Sequence, residues 1–92
     1  MAAFVLVHLE VPDYDAWKQI FDADPGGRKQ TAKGHVISRD VDNPNEVFIR
    51  TEFASVDAAK EFRQRLLDSG ALDPVIVKTP PTVVEVADHA IY

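Results

Sequence analysis

The sequence has 92 residues, 46% of them hydrophobic and 27% charged, which suits one folded domain spanning residues 1–92 and is too short for two cores. Fifteen acidic against ten basic residues give a formal net charge of −5, which argues against nucleic acid or an anionic membrane as a partner. The chain has no cysteine, no signal-peptide pattern and no run approaching the ~20 apolar residues of a membrane span, so we expect a cytoplasmic protein without disulfides or thiolate chemistry.

The first half of the chain begins with a predicted strand and a short helix. Residues 4–11 are apolar and rich in β-branched side chains, and Pro12 ends this strand. Asp13 is suited to cap a helix whose apolar residues recur at helical spacing: Tyr14, Trp17, Ile20 and Phe21. This spacing favours a core position for Trp17. Pro25-Gly26-Gly27 ends the helix.

A basic segment follows this helix. It contains Arg28, Lys29 and Lys33 and has weak helical character. We predict a solvated loop, with a lid over a binding cavity as the alternative.

The segment from residue 35 to residue 53 is predicted to be a β-hairpin. The polar turn Asp42-Asn43-Pro44-Asn45 joins two strand-like runs, residues 35–39 and 46–53. The second run alternates between an apolar face and a mixed face. The apolar face carries Val47, Ile49, Thr51 and Phe53, and the mixed face carries Phe48, Arg50 and Glu52.

The last third of the chain predicts a second helix and a final strand. Ser55 is a candidate N-cap, and Gly70 is a natural stop after the apolar stripe of Ala59, Phe62 and Leu66. A short β-like run at residues 75–77 is expected to stop at Pro80-Pro81, and residues 82–86 form the last strand. The order strand, helix, strand, strand, helix, strand predicts an α+β domain, in which an antiparallel four-stranded sheet carries two helices on one face.

The face of this sheet opposite the helices is predicted to be an interface. It leaves Phe4, Leu6 and Phe48 facing water, and large apolar patches usually mark interfaces or ligand grooves. We therefore predict a homodimer whose two sheets face each other and enclose a cavity, with these three residues as ligand contacts.

Three segments resemble the dimeric α/β-barrel superfamily, especially the small proteins grouped with the antibiotic-biosynthesis-monooxygenase domains. They are His8-x-x-x-x-Asp13-Tyr14-Asp15-Ala16-Trp17-Lys18-x-x-Phe21, Arg39-Asp40-Val41-Asp42-Asn43-Pro44-Asn45-Glu46-Val47 and Phe53-x-Ser55-x-x-x-Ala59-x-x-Phe62. The resemblance implies a ferredoxin-like βαββαβ protomer and a sheet-to-sheet dimer. The superfamily includes cofactor-free oxygenases, haem-degrading enzymes, isomerases and polyketide cyclases. The Asn–His–Trp type arrangement of the haem-degrading members has no position-by-position match here, so we expect no haem.

Three side chains are candidates for catalysis on the cavity face. His8 shares a strand face with Phe4 and Leu6, where an imidazole can act as a general base or orient a ligand oxygen. Arg50 and Glu52 lie on one face of the third strand, which we expect to be the parallel neighbour of the first, so that the three side chains converge as an acid/base pair and an anion clamp.

Each of these candidates has a structural alternative. His8 can be a strand-end histidine bonded to backbone or water. Arg50 and Glu52 can neutralise each other at a sheet rim or a dimer seam. The remaining histidines, His35 and His89, lie far apart in the sequence, so we expect no metal site.

Together these observations predict a small-molecule-binding dimeric α/β-barrel protein. Its expected activity is that of a cofactor-independent monooxygenase or a cyclase/isomerase acting on an aromatic or polyketide-like substrate, with His8 as the base. The alternative is a non-catalytic binding or interaction module whose apolar sheet face serves only homodimerisation. In the dimer, a cavity of roughly 300 Å³ or more lined by His8 favours the ligand site, whereas a filled barrel favours the interaction module.

Overall fold

The computed structural model describes residues 2–92. Within them, four strands form a single sheet, and helices cover one of its faces. The elements are β1 (Ala3–Glu10), α1 (Tyr14–Asp22), α2 (Arg28–Thr31), β2 (Ala32–Arg39), β3 (Glu46–Phe53), α3 (Val56–Asp68) and β4 (Ile76–Glu85). The sheet order is β2-β3-β1-β4, and every neighbouring pair is antiparallel. This confirms the predicted α+β layout. In the described part of the chain, no helix has the length and apolarity of a membrane span.

The helix ends follow the predicted capping signals. The Asp13 carboxylate accepts the backbone N–H of Ala16 at 3.3 Å, and the Ser55 hydroxyl oxygen accepts that of Ala58 at 3.1 Å. Gly70 follows α3 with φ of +74°, a conformation that glycine adopts without steric cost. The sequence therefore determines where α1 and α3 begin and where α3 stops.

The core lies between the sheet and the helices. Alternate residues of the two central strands are buried toward the helices, namely Val5, Val7, Leu9, Val47, Ile49, Thr51 and Phe53. Trp17 of α1 and Phe62 of α3 are buried against them, which confirms Trp17 as a core residue. The rings of Phe53 and Phe62 are 5.1 Å apart. Burying one such large apolar side chain stabilises the fold by about 1.5–3 kcal/mol.

The opposite face of the sheet carries no helix. Phe4 and Leu6 are half-buried there, whereas Phe48 is 39% and Val36 is 46% exposed. An apolar open face therefore exists where the sequence predicts it.

Two details of strand pairing differ from the sequence-based expectations. β3 runs antiparallel to β1, so the predicted parallel pairing is wrong. The crossover through α1 makes β1 and β2 parallel, and the hairpin then reverses the chain before β3. In addition, β4 continues through Pro80-Pro81 as one strand, because it lies at the sheet edge and its pairing with β1 shifts register near His8.

Candidate functional site

The open face of the sheet holds a depression of about 410 Å³ that contains most of the predicted site. Leu6, His8, Phe48 and Arg50 line it, together with Val36, Ser38 and Thr79. His8 lies opposite Phe48 and Leu6 opposite Arg50, so His8 and Arg50 are diagonal neighbours on one face. The depression is open to solvent in the single chain, so the volume expected for a cavity closed by two sheets stays a prediction.

Glu52 lies outside this group. Its partner across the strands is Phe4, so it is displaced along β3 from the position opposite His8 by four residues, or roughly 13 Å. It lines a second depression on the same face, together with Phe4, Arg50, His35 and His89. The convergence of Glu52 with His8 is therefore not seen, because it depended on parallel strands.

Within the single chain, pairing of Arg50 with Glu52 at a sheet rim is also not seen, and their pairing at a dimer seam stays a prediction. Among residues 2–92 no ion pair joins them, and the Arg50 guanidinium instead lies 5.5 Å from the centre of the Phe4 ring. His35 and His89 share a depression although they are distant in sequence, yet the described residues contain no group of three metal-ligating side chains.

The partner of His8 is Glu46, which the sequence analysis missed. The Nε2 atom of His8 is 3.1 Å from Oε1 of Glu46, and the imidazole stacks on Phe48 with 4.1 Å between ring centres. Lys78 approaches the same carboxylate oxygen at 3.7 Å and also lies 3.4 Å from a carboxylate oxygen of Glu10. Within the described residues, Oε2 of Glu46 is buried and has no hydrogen-bond partner. Glu46 begins β3 on the face of Phe48, and this alternation was the available signal.

A second, smaller cavity, partly open to solvent, lies on the other side of the sheet, between the sheet and helices α1 and α3. Its volume is about 50 Å³, room for a few water molecules. Aromatic rings from Trp17, Phe21 and Phe62 line it along with aliphatic strand residues. The polar side chains in its lining are Asp24, Arg28 and Thr51. We call this space the internal cavity.

Arg28 supplies the positive charge of the internal cavity. Only 5% of this residue is exposed, so the prediction of a solvated loop is wrong at this position. Its guanidinium carbon lies 3.7 Å from the centre of the Phe21 ring, and Nη1 donates to the Phe21 carbonyl oxygen at 3.2 Å. Burial lowers the pKa of Arg28 below its ordinary value, and the charges of Asp24 and Asp22 oppose that shift.

Asp24 holds the chain in place beside Arg28. Its φ is +62°, and its carboxylate accepts the backbone N–H groups of Arg28 at 2.7 Å and Lys29 at 3.0 Å. The same carboxylate lies 3.7 Å from Nη1 of Arg28. Backbone donors and the side-chain cation therefore share one anion, which fixes the turn into α2 and brings Arg28 inward. The Pro-Gly-Gly break followed by a basic residue gave no sign of this burial.

Comparison with known proteins bears on the fold. No protein-family model matches the sequence, and no curated protein matches it. Among solved structures, Rv0793 from Mycobacterium tuberculosis superposes with a TM-score of 0.67 at 19% identity, over 99% of this chain and 100% of that one. The chain has the fold of this protein.

Two further structures carry the same fold. A proposed antibiotic biosynthesis monooxygenase from Chloroflexus aurantiacus matches over 100% of both chains, with a TM-score of 0.64 and 18% identity. Another from Bordetella bronchiseptica matches over 97% of this chain and 98% of that one, with a TM-score of 0.63 and 18% identity. The resemblance found in the sequence is thus confirmed for the fold.

Proposed function

We propose that the protein binds a small aromatic or polyketide-like molecule in the internal cavity and oxygenates it without a cofactor. The observation that carries the proposal is Arg28, a buried cation at the wall of an otherwise mostly apolar, aromatic-lined cavity. Such a combination of apolar walls and a few convergent polar groups is typical of ligand sites. Two neighbours in fold are described as proposed monooxygenases, which favours oxygenation as the reaction class.

The chemistry assigned to Arg28 is electrostatic. Oxygenation without a cofactor begins when the substrate gives a proton to solvent and becomes an electron-rich enolate or phenolate. This anion reacts with dioxygen, which is the oxidant; one oxygen atom enters the product and the other leaves as water. Cyclisation or isomerisation next to a carbonyl passes through a similar enolate. A preorganised cation in a site shielded from water stabilises such an oxygen anion. The guanidinium has five N–H donors, and within residues 2–92 the one hydrogen bond from its side chain is the one to Phe21. The remaining donors are suited to hold a ligand oxygen.

Binding requires the mouth of the internal cavity to widen, since about 50 Å³ is below the usual 300–1,000 Å³ of ligand pockets. We place the mouth between α1 and the turn after α3, which both line the cavity. Ile20 on α1 is 45% exposed there, and Ala71 and Leu72 of the turn are half-buried in the lining. We expect these side chains to move when a ring enters.

The test uses Trp17, the single tryptophan of the chain, whose indole N–H gives one cross-peak in a ¹H–¹⁵N NMR spectrum. Titration with 2-naphthol should shift this cross-peak saturably. Ala71→Phe places a ring in the mouth and should abolish the shift, whereas Ala87→Phe, at an exposed position outside the cavity, should leave it unchanged. A saturable shift that survives Ala71→Phe, or no shift in the unmodified protein, contradicts the proposal.

The open sheet face supports a second part of the proposal, the homodimer. Exposed apolar side chains on a sheet face are stabilised when a second copy covers them, and Leu6, Val36 and Phe48 form such a surface. In that dimer the 410 Å³ depression would be enclosed between two sheets.

A second candidate function rests on the hydrogen bond between His8 and Glu46. A carboxylate that orients an imidazole is a usual arrangement for a general base, and Arg50 lines the same depression. This arrangement would support proton abstraction between the two sheets. In the same titration, shifts centred on His8 and Phe48 that are lost in His8→Ala and unaffected by Ala71→Phe would favour this site. The absence of shifts at both sites would favour the interaction module.

A further inference from the structure

A cation-lined depression adjoins the internal cavity. Its volume is about 170 Å³, and Arg28, Lys29, Lys33 and His35 line it together with Ala32 and Gly34. Arg28 also lines the internal cavity, so this residue is shared by the two spaces. We call this depression the basic rim.

The rim is a positive region on a chain whose formal net charge is −5. Two carboxylates lie near it. The Asp24 carboxylate is occupied by the backbone N–H groups of Arg28 and Lys29, and that of Asp22 by Lys18, whose Nζ lies 2.6 Å away. Lys29 directs its Nζ to the backbone carbonyl oxygen of Asp22 at 3.2 Å.

The cations near the rim therefore outnumber the carboxylates. Lys33 is exposed and makes no ion pair with the described residues. The pKa of His35 is lowered first by burial and then by the positive charges of Arg28 and Lys18, in keeping with a positive surrounding.

We infer that the ligand is an aromatic carboxylate, with its ring in the internal cavity and its carboxylate at the basic rim near Arg28, Lys29 and Lys33. This inference rests on the proposed function, because it takes the internal cavity as the binding site and adds the charge of the ligand. The cations at the rim favour an anionic ligand over a neutral one by Coulomb attraction. In addition, a hydrogen bond from an N–H group to a carboxylate is stronger than one to a neutral acceptor. An amide of the same shape lacks the charge and keeps the ring.

The test compares 2-naphthoate with 2-naphthamide, which differ in charge and hardly in shape. Each is titrated into the protein at low salt and neutral pH, and the Trp17 indole cross-peak reports binding. We expect the carboxylate to bind about tenfold more tightly than the amide, an advantage that decreases as salt is added. Lys29→Gln/Lys33→Gln should remove most of this advantage and leave the affinity for the amide unchanged.

A matched control removes two positive charges elsewhere. Lys60→Gln/Arg63→Gln changes the net charge equally, but both residues lie on α3 and line neither space. This variant should keep the preference for the carboxylate. Equal affinities for the two ligands in the unmodified protein, or equal losses in the two double variants, overturn the inference alone. If neither ligand binds, the proposed function fails together with it.

Discussion

Gly26 packs closely against the Phe62 ring in the lining of the internal cavity. A Cβ atom at Gly26 would lie 2.8 Å from one ring carbon of Phe62 and 3.4 Å from two others. Carbon atoms pack best at about 3.5–4.0 Å, so Gly26→Ala forces the ring to retreat. Phe62 is buried and its ring contacts that of Phe53, so the retreat is directed into the internal cavity, which both Gly26 and Phe62 line.

The expected magnitude follows from comparison with Gly34. Overpacking of this kind lowers the free energy of unfolding by about 1–3 kcal/mol. Replacing glycine by alanine also raises it by about 0.4–1 kcal/mol, because the unfolded chain has less conformational entropy. At Gly34 no atom lies within 4 Å of the added Cβ, so Gly34→Ala gains stability from the lower entropy of the unfolded chain and causes no overpacking. Neither glycine has positive φ, so backbone strain does not enter. The two variants should differ by about 1–3 kcal/mol in the free energy of unfolding.

Thermal unfolding of the two variants measures this difference; both are studied at one protein concentration, since the proposed dimer would add stability that depends on concentration. For a chain of this length about 1 kcal/mol corresponds to roughly 4–8 °C in Tm. Phe62→Leu shortens the clashing ring, so the double variant with Gly26→Ala should recover at least ~1 kcal/mol relative to additivity. Equal stability of Gly26→Ala and Gly34→Ala, or strict additivity with Phe62→Leu, would refute the reasoning.

Three further outcomes are expected. Leu6→Asp places a charge on the open sheet face and should shift the native mass spectrum from twice the chain mass of 10.2 kDa to a monomer; a retained dimer would contradict the sheet-to-sheet interface. The pKa of His35 should lie below 6.5 by NMR titration, because burial and the charge of Arg28 disfavour the imidazolium. The folded chain then binds this proton less readily than the unfolded one, so stability should fall as the pH decreases from 6.5 toward the folded pKa, and His35→Gln should remove that part of the loss. Ser55→Ala should cost about 1 kcal/mol of unfolding free energy by chemical denaturation, whereas Ser55→Thr keeps the cap and most of the stability.

The sequence predicts those parts of the fold that local rules determine. The caps at Asp13 and Ser55, the stop at Gly70 and the alternation of β3 depend on neighbouring residues, and they are found in the structure. The continuity of β4 was mispredicted, because proline breaks an internal strand but is tolerated at an edge, and the position of a strand in the sheet is a property of the whole chain.

The candidate site was less predictable for the same reason. His8 and Arg50 share a depression because alternation alone places them on one face, whereas the distance to Glu52 depended on strand direction. The burial of Arg28 depends on a carboxylate four residues earlier and on a ring contributed by α1. Both contacts span the Pro-Gly-Gly break, across which helical periodicity is not expected to continue. A basic segment after a Gly-Gly break is typical of a surface loop, and the sequence pattern does not indicate that the Asp24 carboxylate holds this one in place.

The two prolines of β4 also restrict how copies of this protein assemble. An exposed strand edge normally offers a row of N–H and C=O groups on which a strand from another chain can add. Pro80 and Pro81 contribute no N–H to such a row, and the shifted register around them bends it. Continuous strand addition along this edge is therefore disfavoured, while the apolar open face remains available. Open-ended growth through the β4 edge is thus less favourable than the proposed face-to-face pair, in which the helices would cover the outer face of each sheet.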